Sequence, residues 1–215
     1  MMLLTKKDKK KKKAKEEEEE CSEEESEPTI VDLLGALQKG PEQRSIMFVG
    51  EVSEEKAADL ISALLVLSQD VPEGQKRGED IKLYLSTYGG SAHEMFGVYD
   101  IMNWCKQFCD IQTIGIGKIM SAGTLLLAAG TEGKRKLGKH CQIMIHSVNG
   151  GSSGELHSLE NEMEQMKNLQ DTYIQCISDE TKMTKRQIQT LINRKVNVYL
   201  SSEEAIEKGL ADGVL

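Results

Sequence analysis

The sequence predicts an α/β fold built on a mainly parallel sheet. Three observations support this prediction. Short apolar segments typical of buried strands alternate with segments of helical periodicity, glycines mark several of the junctions, and a long amphipathic stretch lies in the C-terminal half. Repeated βα units require right-handed crossovers and a parallel sheet. We therefore expect functional groups to collect where strands give way to helices.

Four short apolar segments are predicted strands: 44–50, 81–86, 111–116 and 142–146. A helix is predicted over 53–69, because Ser53 can act as its N-cap and acidic residues follow in the first turn. A second helix follows a Gly-Gly turn and carries apolar residues on one face, and a third begins at Ser121. This order of elements is the repeated βα pattern of a parallel sheet.

A long, acidic helix is predicted over about 155–178. Its apolar residues recur at steps of three and four and form one stripe: Leu156, Leu159, Met163, Met166, Leu169, Tyr173 and Ile177. Such a stripe is compatible with packing on its own domain, but the length and the methionine content favour a helix that projects and packs on another subunit. Two shorter helices follow, because Thr184 with Gln187 and Ser201 with Glu204 have capping-box spacing.

The first 28 residues differ in kind from the rest of the chain. A block of lysines precedes a block of glutamates, with almost no apolar side chain to bury. Such a segment cannot offset the entropy lost on ordering, so we expect residues 1–28 to be a disordered charged tail and residues 29–215 to form the folded domain. No apolar run reaches the length of a signal peptide or a membrane span, which favours a cytoplasmic or equivalent reducing compartment.

Composition narrows the classes of function. The 215 residues are 39% hydrophobic and carry a formal net charge of −8. This acidic balance disfavours a nucleic-acid partner, which requires a basic surface. The five cysteines form no Cys-x-x-Cys pair, so we expect no metal or other cofactor and interpret Cys105 and Cys109 as core residues.

Three features converge on one candidate catalytic site. Ser121 begins a helix directly after a strand, the Gly89–Gly90 pair lies at the preceding strand-to-helix turn, and His146 ends the following strand. A serine nucleophile needs a base within reach and backbone amides that face the oxyanion. Each feature alone also has an ordinary explanation, since a serine is a common helix cap. Together, the three favour nucleophilic chemistry.

Five stretches give the chain a resemblance to a known family: IKLYLSTYGG, GVYDIM, GKIMSAGTLLLAAG, QIMIHSVNGGSSGE and YLSSEEAIEKGLAD. On these motifs, the run from about 44 to 215 resembles ClpP, the proteolytic subunit of the Clp protease and a serine peptidase. The resemblance implies ClpP/crotonase-like stacked βαβ units, with a long helix that joins two heptameric rings. It also implies that unfolded proteins are the substrates and that an ATP-driven AAA+ unfoldase delivers them.

The resemblance assigns roles to individual residues. Ser121 is the expected nucleophile and His146 the expected base, with Gly89 and Ala122 supplying the oxyanion amides. The glycine-rich stretch after the histidine is expected to pair with an extended substrate in β fashion. The expected substrate contacts are Gly90, Asn149, Gly150, Gly151 and Ser152.

The chain departs from the family pattern in three places. Tyr88 replaces the proline expected before the Gly-Gly turn, and the segment before the first strand does not resemble the family's pore loops. Asn197 stands where the triad aspartate is expected. An asparagine orients a histidine through its amide oxygen but brings no charge to stabilise the imidazolium. Asp179 is an alternative carboxylate for that role.

Two other functions stay open on the sequence. The chain fits a catalytically weak or silent subunit of a mixed ring with an active ClpP paralogue. It also fits a relative that uses the crotonase-like fold to hold an acyl-thioester in its oxyanion hole. The serine–histidine pair counts against the thioester function, because acyl-CoA enzymes of that fold typically work with carboxylates. Reaction of Ser121 with a fluorophosphonate distinguishes the peptidase from the silent subunit.

Overall fold

The computed structural model describes four stretches of the chain: 44–72, 74–151, 153–194 and 196–215. Within them, strands and helices alternate as the sequence predicts, and the α/β prediction is confirmed. The expected charged tail at 1–28 and the expected domain start at 29 lie outside the described residues. Ser152, one of the expected substrate contacts, lies outside them as well.

The described strands are, in chain order, β1 Ser45–Val52, β2 Ile81–Gly90, β3 Ile111–Met120, β4 Lys136–Leu137, β5 Gln142–Ile145, β6 Val198–Leu200 and β7 Gly213–Val214. The described helices are α1 Glu54–Gln69, α2 Ala92–Cys105, α3 Ala122–Ala128, α4 Leu156–Glu180, α5 Lys185–Ile192 and α6 Ser202–Glu207. All four predicted strands are present. Three of them run further than predicted, since β1 continues to Val52, β2 to Gly90 and β3 to Met120.

The sheet is parallel except at its β5–β6 pair. Its order is β1-β2-β3-β4-β7, with β5 beside β3 and β6 antiparallel to β5. Because β3 is long, its first half pairs with β4 and its second half with β5. The register sets Met120 of β3 beside Met144 of β5, so the segments that follow these two residues start side by side.

The core lies between the sheet and the helices that pack against it. Helix α3 is buried along its whole length, as expected for a helix whose residues are almost all apolar. Cys105 and Cys109 are fully buried, which confirms their interpretation as core residues. None of the described helices is long and apolar enough to cross a membrane.

Helix caps agree with the sequence at two of the three predicted positions. Thr184 and Gln187 form a reciprocal capping box at the start of α5, and Ser201 and Glu204 form one at the start of α6. Ser53 occupies the N-cap position of α1, but its side chain makes no capping hydrogen bond. Each capping box satisfies two backbone amides that would otherwise lack partners at the helix start.

The long helix α4 is anchored to the domain at its C-terminal end. The Arg135 guanidinium donates to the carbonyl of Glu180 at 2.6 Å and to the carbonyl of Ala128 at 3.2 Å. The same guanidinium binds both carboxylate oxygens of Asp212, at 2.9 and 2.6 Å. One buried arginine therefore joins the ends of α3 and α4 to the C-terminal segment of the chain. The predicted long helix is confirmed.

Candidate active site

Ser121 sits at the junction between β3 and α3 in a strained conformation. Its φ is 54° and its ψ is −122°, and it is the one non-glycine residue in the described stretches with a positive φ. Such a conformation costs about 1–3 kcal/mol and persists only where the surroundings enforce it. The Ser121 side chain makes no capping hydrogen bond to α3. Its hydroxyl is therefore not used as a helix cap.

The backbone around Ser121 is held by several hydrogen bonds. Its amide donates to the carbonyl of Met144 in β5 at 2.8 Å, and its carbonyl accepts from the amide of Thr124 at 2.9 Å. The hydroxyl of Tyr173, from α4, also donates to the Ser121 carbonyl at 3.4 Å. Three separate elements thus fix the peptide units on both sides of the serine.

Ser121 and His146 line the same cavity, which we call the Ser121 cavity and which has a volume of about 180 Å³. Apolar and small residues form most of its wall. The residues that line it are Gly90, Ser91, Ala92, Met95, Ser121, Ala122, His146, Ser147, Val148, Asn149, Leu169 and Tyr173. The structure therefore brings together five of the residues that the sequence analysis singled out for chemistry or substrate contact: Ser121, His146, Ala122, Gly90 and Asn149.

The Gly89–Gly90 pair passes very close to Ser121. A Cβ atom added to Gly89 would lie 2.6 Å from the Cβ of Ser121, and Gly89 has a φ of 100°, so only glycine fits there. The Gly89 amide, however, donates to the Thr87 hydroxyl at 2.9 Å. Gly89 is buried, and Gly90 is the member of the pair that lines the Ser121 cavity.

The turn also accommodates the residue that replaces the expected proline. Tyr88 is 68% exposed, and the Nζ atom of Lys118 lies 4.4 Å from the centre of its ring. Thr87, by contrast, is completely buried. The hydrogen bond between the Thr87 hydroxyl and the Gly89 amide therefore supplies local order that a proline ring would otherwise provide.

Asn197 and His146 lie at the same end of the β5–β6 pair. In this antiparallel pair, Ile143 faces Leu200 and Ile145 faces Val198. His146 directly follows β5 and Asn197 directly precedes β6, so the register continued by one residue would set them opposite each other. Asn197 is exposed, and no hydrogen bond joins the two side chains in the described part of the chain.

Asp179 does not serve as the alternative carboxylate. It lies near the end of α4, is exposed, and accepts a hydrogen bond from the side-chain amide of Gln175 at 2.6 Å. It is absent from the lining of the Ser121 cavity. The helical spacing of Gln175 and Asp179 explains this contact, since residues four apart lie on the same helix face. The suggestion that Asp179 orients His146 is therefore wrong.

The glycine-rich stretch after His146 forms one wall of an open groove. The groove has a volume of about 460 Å³ and runs between Asn149–Gly150 and the side of α4 that carries Met163 and Met166. A Cβ at Gly150 would approach the Met166 sulfur to 2.6 Å, so a larger residue there would narrow the groove. Gly151 is exposed beyond it. Asn149 and Gly150 therefore border this groove, and Asn149 also lines the Ser121 cavity together with Gly90.

Metal ligation finds no support among the residues that the structure describes, because they contain no cluster of three or more His, Cys, Asp or Glu side chains able to hold an ion. The four described cysteines are free thiols. Burial raises the pKa of the Cys141 thiol to about 11, which keeps that thiol protonated and unreactive near neutral pH. Ser121 is thus the nucleophile that the geometry favours.

Sequence reasoning missed three polar residues that shape this site. Thr87, Thr124 and Tyr173 all contact the segments around Ser121, and the sequence analysis treated Tyr173 only as part of an apolar stripe. Their spacing carries no catalytic signature. A possible signal was the presence of hydroxyl groups at positions where apolar periodicity predicts full burial, because buried hydroxyls need partners.

A strained serine at a strand-to-helix junction that shares a cavity with a histidine is the arrangement found in serine hydrolases. Comparison with known proteins narrows this class. Residues 25–215 match the profile of the Clp protease family. The chain therefore belongs to the Clp protease family, a family of serine peptidases, and the family predicted from the sequence motifs is confirmed.

Curated relatives agree with this assignment. The chain is 34% identical over 171 residues to the ATP-dependent Clp protease proteolytic subunit 1 of Synechococcus sp. (strain CC9902), covering 79% of this chain and 82% of that protein. It is equally similar, at 34% with the same coverage, to subunit 2 of Parasynechococcus marenigrum (strain WH8102). The proteolytic subunit of Borreliella afzelii (strain PKo) is 33% identical over 173 residues, or 80% of this chain and 83% of that protein.

Proposed function

We propose that this chain is a serine endopeptidase subunit that cleaves unfolded polypeptides through an acyl-enzyme. The observation that carries the proposal is the strained, uncapped Ser121, whose hydroxyl shares a cavity with His146. A conformation of this kind is stable only where the fold enforces it, and it presents the hydroxyl to the cavity instead of to the helix end. Membership of the Clp protease family supports the same reaction class.

The reaction follows from the arrangement of Ser121 and His146. His146 accepts the hydroxyl proton while the Ser121 Oγ bonds to the carbonyl carbon of the scissile peptide. The resulting tetrahedral intermediate collapses when His146 gives that proton to the leaving amine, which breaks the C–N bond and leaves an ester on Ser121. Water, deprotonated by His146, then attacks the ester carbonyl. The bond between the acyl carbon and the Ser121 Oγ breaks, His146 returns its proton to Oγ, and the new carboxyl end of the substrate is released.

Backbone amides of Gly90 and Ala122 are the oxyanion donors that we propose. Ala122 is the first residue of α3, so its amide has no acceptor within the helix. The Ser91 amide donates to Val52 in β1, and successive amides of an extended strand point to opposite sides. The Gly90 amide therefore points away from β1, towards Ser121. The Gly89 amide is a poorer donor than the sequence suggested, because Thr87 already accepts from it.

Asn197 is the residue that we propose orients His146. The continued β5–β6 register supports this role, because it sets the two residues opposite each other at the end of the pair. The amide oxygen of an asparagine can accept the Nδ1 proton and select the tautomer in which Nε2 accepts the serine proton. It cannot neutralise the imidazolium, so we expect acylation to be slower than with a carboxylate.

We further propose that the chain works in stacked heptameric rings, in the cytoplasm, with an AAA+ unfoldase that hydrolyses ATP. The relatives are named as proteolytic subunits of an ATP-dependent protease, which supports a separate ATPase partner. The exposed apolar residues Leu156 and Met163 of α4 support contact with another subunit. The groove beside Gly150 is open enough for an extended peptide to lie along it.

A weak or silent subunit is the second candidate, and Asn197 is the observation that favours it. The Asn197 side chain is uncharged and exposed, and it makes no hydrogen bond to His146 within the described residues. It therefore does not stabilise a protonated His146. In that case the chain would shape a mixed ring with an active paralogue of the same family. The two candidates differ in whether Ser121 forms a covalent adduct.

Fluorophosphonate labelling tests the proposal directly. We expect a fluorescent fluorophosphonate to label the wild-type chain at Ser121, because the reagent needs a serine that a base activates. Ser121→Ala and His146→Ala should both abolish labelling and the hydrolysis of short fluorogenic peptides. Mass spectrometry of the adduct locates the labelled residue. An unlabelled wild-type chain with intact folding would favour the silent subunit, and hydrolysis that survives either substitution would disprove the assigned roles.

The substitution Asn197→Asp tests the third position. A carboxylate there would stabilise the imidazolium that forms as Ser121 loses its proton, so acylation should accelerate by about 10- to 10⁴-fold, the spread of triad effects. Asn197→Ala should slow acylation, because the histidine loses its orienting partner. Rates of fluorophosphonate labelling measure both changes on one scale. If neither substitution changes the rate while Ser121 remains labelled, the orienting group is elsewhere.

A further inference from the structure

We propose that Tyr173 is a positioning residue for the nucleophile: its hydroxyl, carried on α4, helps to hold Ser121 in its strained conformation together with Thr124. The inference rests on the proposed function of Ser121. The apolar periodicity of α4 predicts only that Tyr173 is a buried core residue, and the inference adds a role in the reaction. Tyr173 is only 5% exposed, and its ring forms part of the wall of the Ser121 cavity.

The contacts form a short network of hydroxyl and carbonyl groups. The Tyr173 hydroxyl donates to the Ser121 carbonyl at 3.4 Å, a long hydrogen bond, and lies beside the Thr124 hydroxyl. The Thr124 hydroxyl donates to the Met144 carbonyl at 3.1 Å, which also accepts from the Ser121 amide. Met144 lies two residues before His146. The network therefore connects the serine to the strand that carries the histidine.

Because these groups are buried, the loss of one of their hydrogen bonds costs free energy. Thr124 is fully buried and Tyr173 nearly so, and a buried hydroxyl without a partner is costly. The Tyr173 hydroxyl is satisfied by the Ser121 carbonyl, and the Thr124 hydroxyl by the Met144 carbonyl of β5. Burial raises the pKa of Tyr173 well above its ordinary value, so the phenol remains a protonated donor throughout the working pH range of a peptidase.

Strain at Ser121 explains why such contacts affect the reaction. A positive φ at a serine relaxes unless its neighbouring peptide units are fixed, and small displacements of a nucleophile slow its reaction strongly. The Ser121 amide is held by Met144 of β5, and the Ser121 carbonyl by the Thr124 amide of α3. Tyr173 adds the contact from α4. It thereby connects the long helix to the one strained residue of the site.

Removal of the Tyr173 hydroxyl tests this role. The substitution Tyr173→Phe keeps the ring that lines the cavity and removes only the hydrogen bonds. We expect the rate constant for fluorophosphonate labelling of the full chain, and kcat for a fluorogenic peptide, to fall by about 3- to 10-fold, while KM stays within about twofold, since only orientation is lost. A purely structural role would lower the melting temperature without this separation of kcat from KM.

Tyr99→Phe is the matched control. The Tyr99 hydroxyl also contacts α4, donating to the Glu180 carboxylate at 3.0 Å, and burial likewise raises its pKa. It lies outside the Ser121 cavity. We expect Tyr99→Phe to lower stability without changing the labelling rate. Equal slowing in both variants would show that any loosening of α4 affects the site, and would overturn a specific role for Tyr173.

Substitutions of Thr124 give a second test that does not depend on how Tyr173→Phe folds. Thr124→Val should slow labelling by a similar factor, whereas Thr124→Ser, which keeps the hydroxyl, should retain the wild-type rate within about twofold. The double variant Tyr173→Phe with Thr124→Val should be slowed less than the product of the two single effects, because the residues share one network. Wild-type rates in both Tyr173→Phe and Thr124→Val would overturn the inference.

Failure of the inference is distinct from failure of the proposed function. If the wild-type chain is labelled at Ser121 and Tyr173→Phe is labelled equally fast, the inference alone is wrong. If Ser121 is never labelled in a folded wild-type chain, the proposed function fails and the inference falls with it.

Discussion

The two halves of helix α4 differ in how far their apolar side chains are buried. In the carboxyl half, residues 169–180, Tyr173, Ile174 and Ile177 are at most 5% exposed. In the amino half, residues 156–168, Leu156 is 67% and Met163 is 53% exposed. A single apolar stripe runs through both halves. One half of that stripe is buried within its own subunit and the other is not.

This contrast separates two roles that one sequence pattern encodes. The carboxyl half is part of the folded subunit, anchored at Glu180 by Arg135 and at Tyr173 by the Ser121 carbonyl. The amino half contributes little burial, and its large apolar groups remain available for another chain. A continuous stripe therefore does not imply a continuous role. The substitutions below test the contrast, in order of their expected effect on the stability of the subunit.

Truncation of matched apolar residues in the two halves should have unequal effects. Ile177→Ala should lower the free energy of unfolding by about 2–5 kcal/mol, because Ile177 is fully buried and a cavity results. Leu156→Ala should change it by less than about 0.5 kcal/mol, as for other exposed positions. Urea unfolding at several protein concentrations separates subunit stability from assembly. Equal losses in both variants would refute the division of the helix.

The anchor at the end of the carboxyl half should respond to acid. Burial acts to raise the pKa of Asp212, but the hydrogen bonds and charge of Arg135 outweigh it and hold that pKa below its ordinary value. A carboxyl group whose pKa is depressed on folding stabilises the fold above its unfolded pKa and loses that contribution as pH falls through the folded pKa. The stability of the wild-type chain should therefore decline below the ordinary aspartate pKa of about 4.

Asp212→Asn isolates this contribution. The variant should be less stable at neutral pH by about 1–3 kcal/mol, as for a lost charged hydrogen bond, and should lack that part of the acid dependence. Urea midpoints measured from pH 7 down to about pH 3, across the ordinary titration range of aspartate, provide the comparison. Asp70→Asn is the control, since the Asp70 side chain is 75% exposed although it pairs with Arg44. A wild-type pH profile in Asp212→Asn would contradict the anchoring role.

Charges placed on the exposed stripe should break the assembly and spare the subunit. In the double variant Leu156→Glu with Met163→Glu, subunit stability should stay within about 0.5 kcal/mol of wild type. The proposed rings should fail to pair, because two carboxylates would be buried in the contact. Sedimentation velocity measures the change in size. The control, His157→Glu with Asn161→Glu, adds the same charge to exposed positions off the stripe and should assemble normally.

Much of the fold could be predicted because its determinants are local. Apolar segments defined the strands, capping boxes at Thr184 and Ser201 defined two helix starts, and a three-four spacing defined α4. The same spacing could not show which half of α4 is buried. The burial of each half depends on which other elements pack against the helix. Two residues that contact α4, Arg135 and Ser121, are both far from it in sequence.

Part of the candidate site could be predicted because its residues also lie in local sequence motifs. Ser121 and His146 belong to recognisable motifs, and the structure sets both in one cavity. The choice of Gly89 as the oxyanion donor took no account of Thr87, whose hydroxyl accepts from that amide. Contacts between buried hydroxyls have no periodic pattern, so the sequence could mark Thr124 and Tyr173 as buried hydroxyls but could not identify their partners.

Because Ser121 has a positive φ, the residue that the proposed reaction needs at this position is not the residue that would give the most stable fold. Glycine is the residue that adopts such a conformation without strain, and glycine has no hydroxyl. Selection for a sturdier fold and selection for peptide hydrolysis therefore favour different residues at this position. One substitution, Ser121→Gly, would relieve the strain and remove the hydroxyl together, so stability is gained at this position only by giving up the proposed reaction.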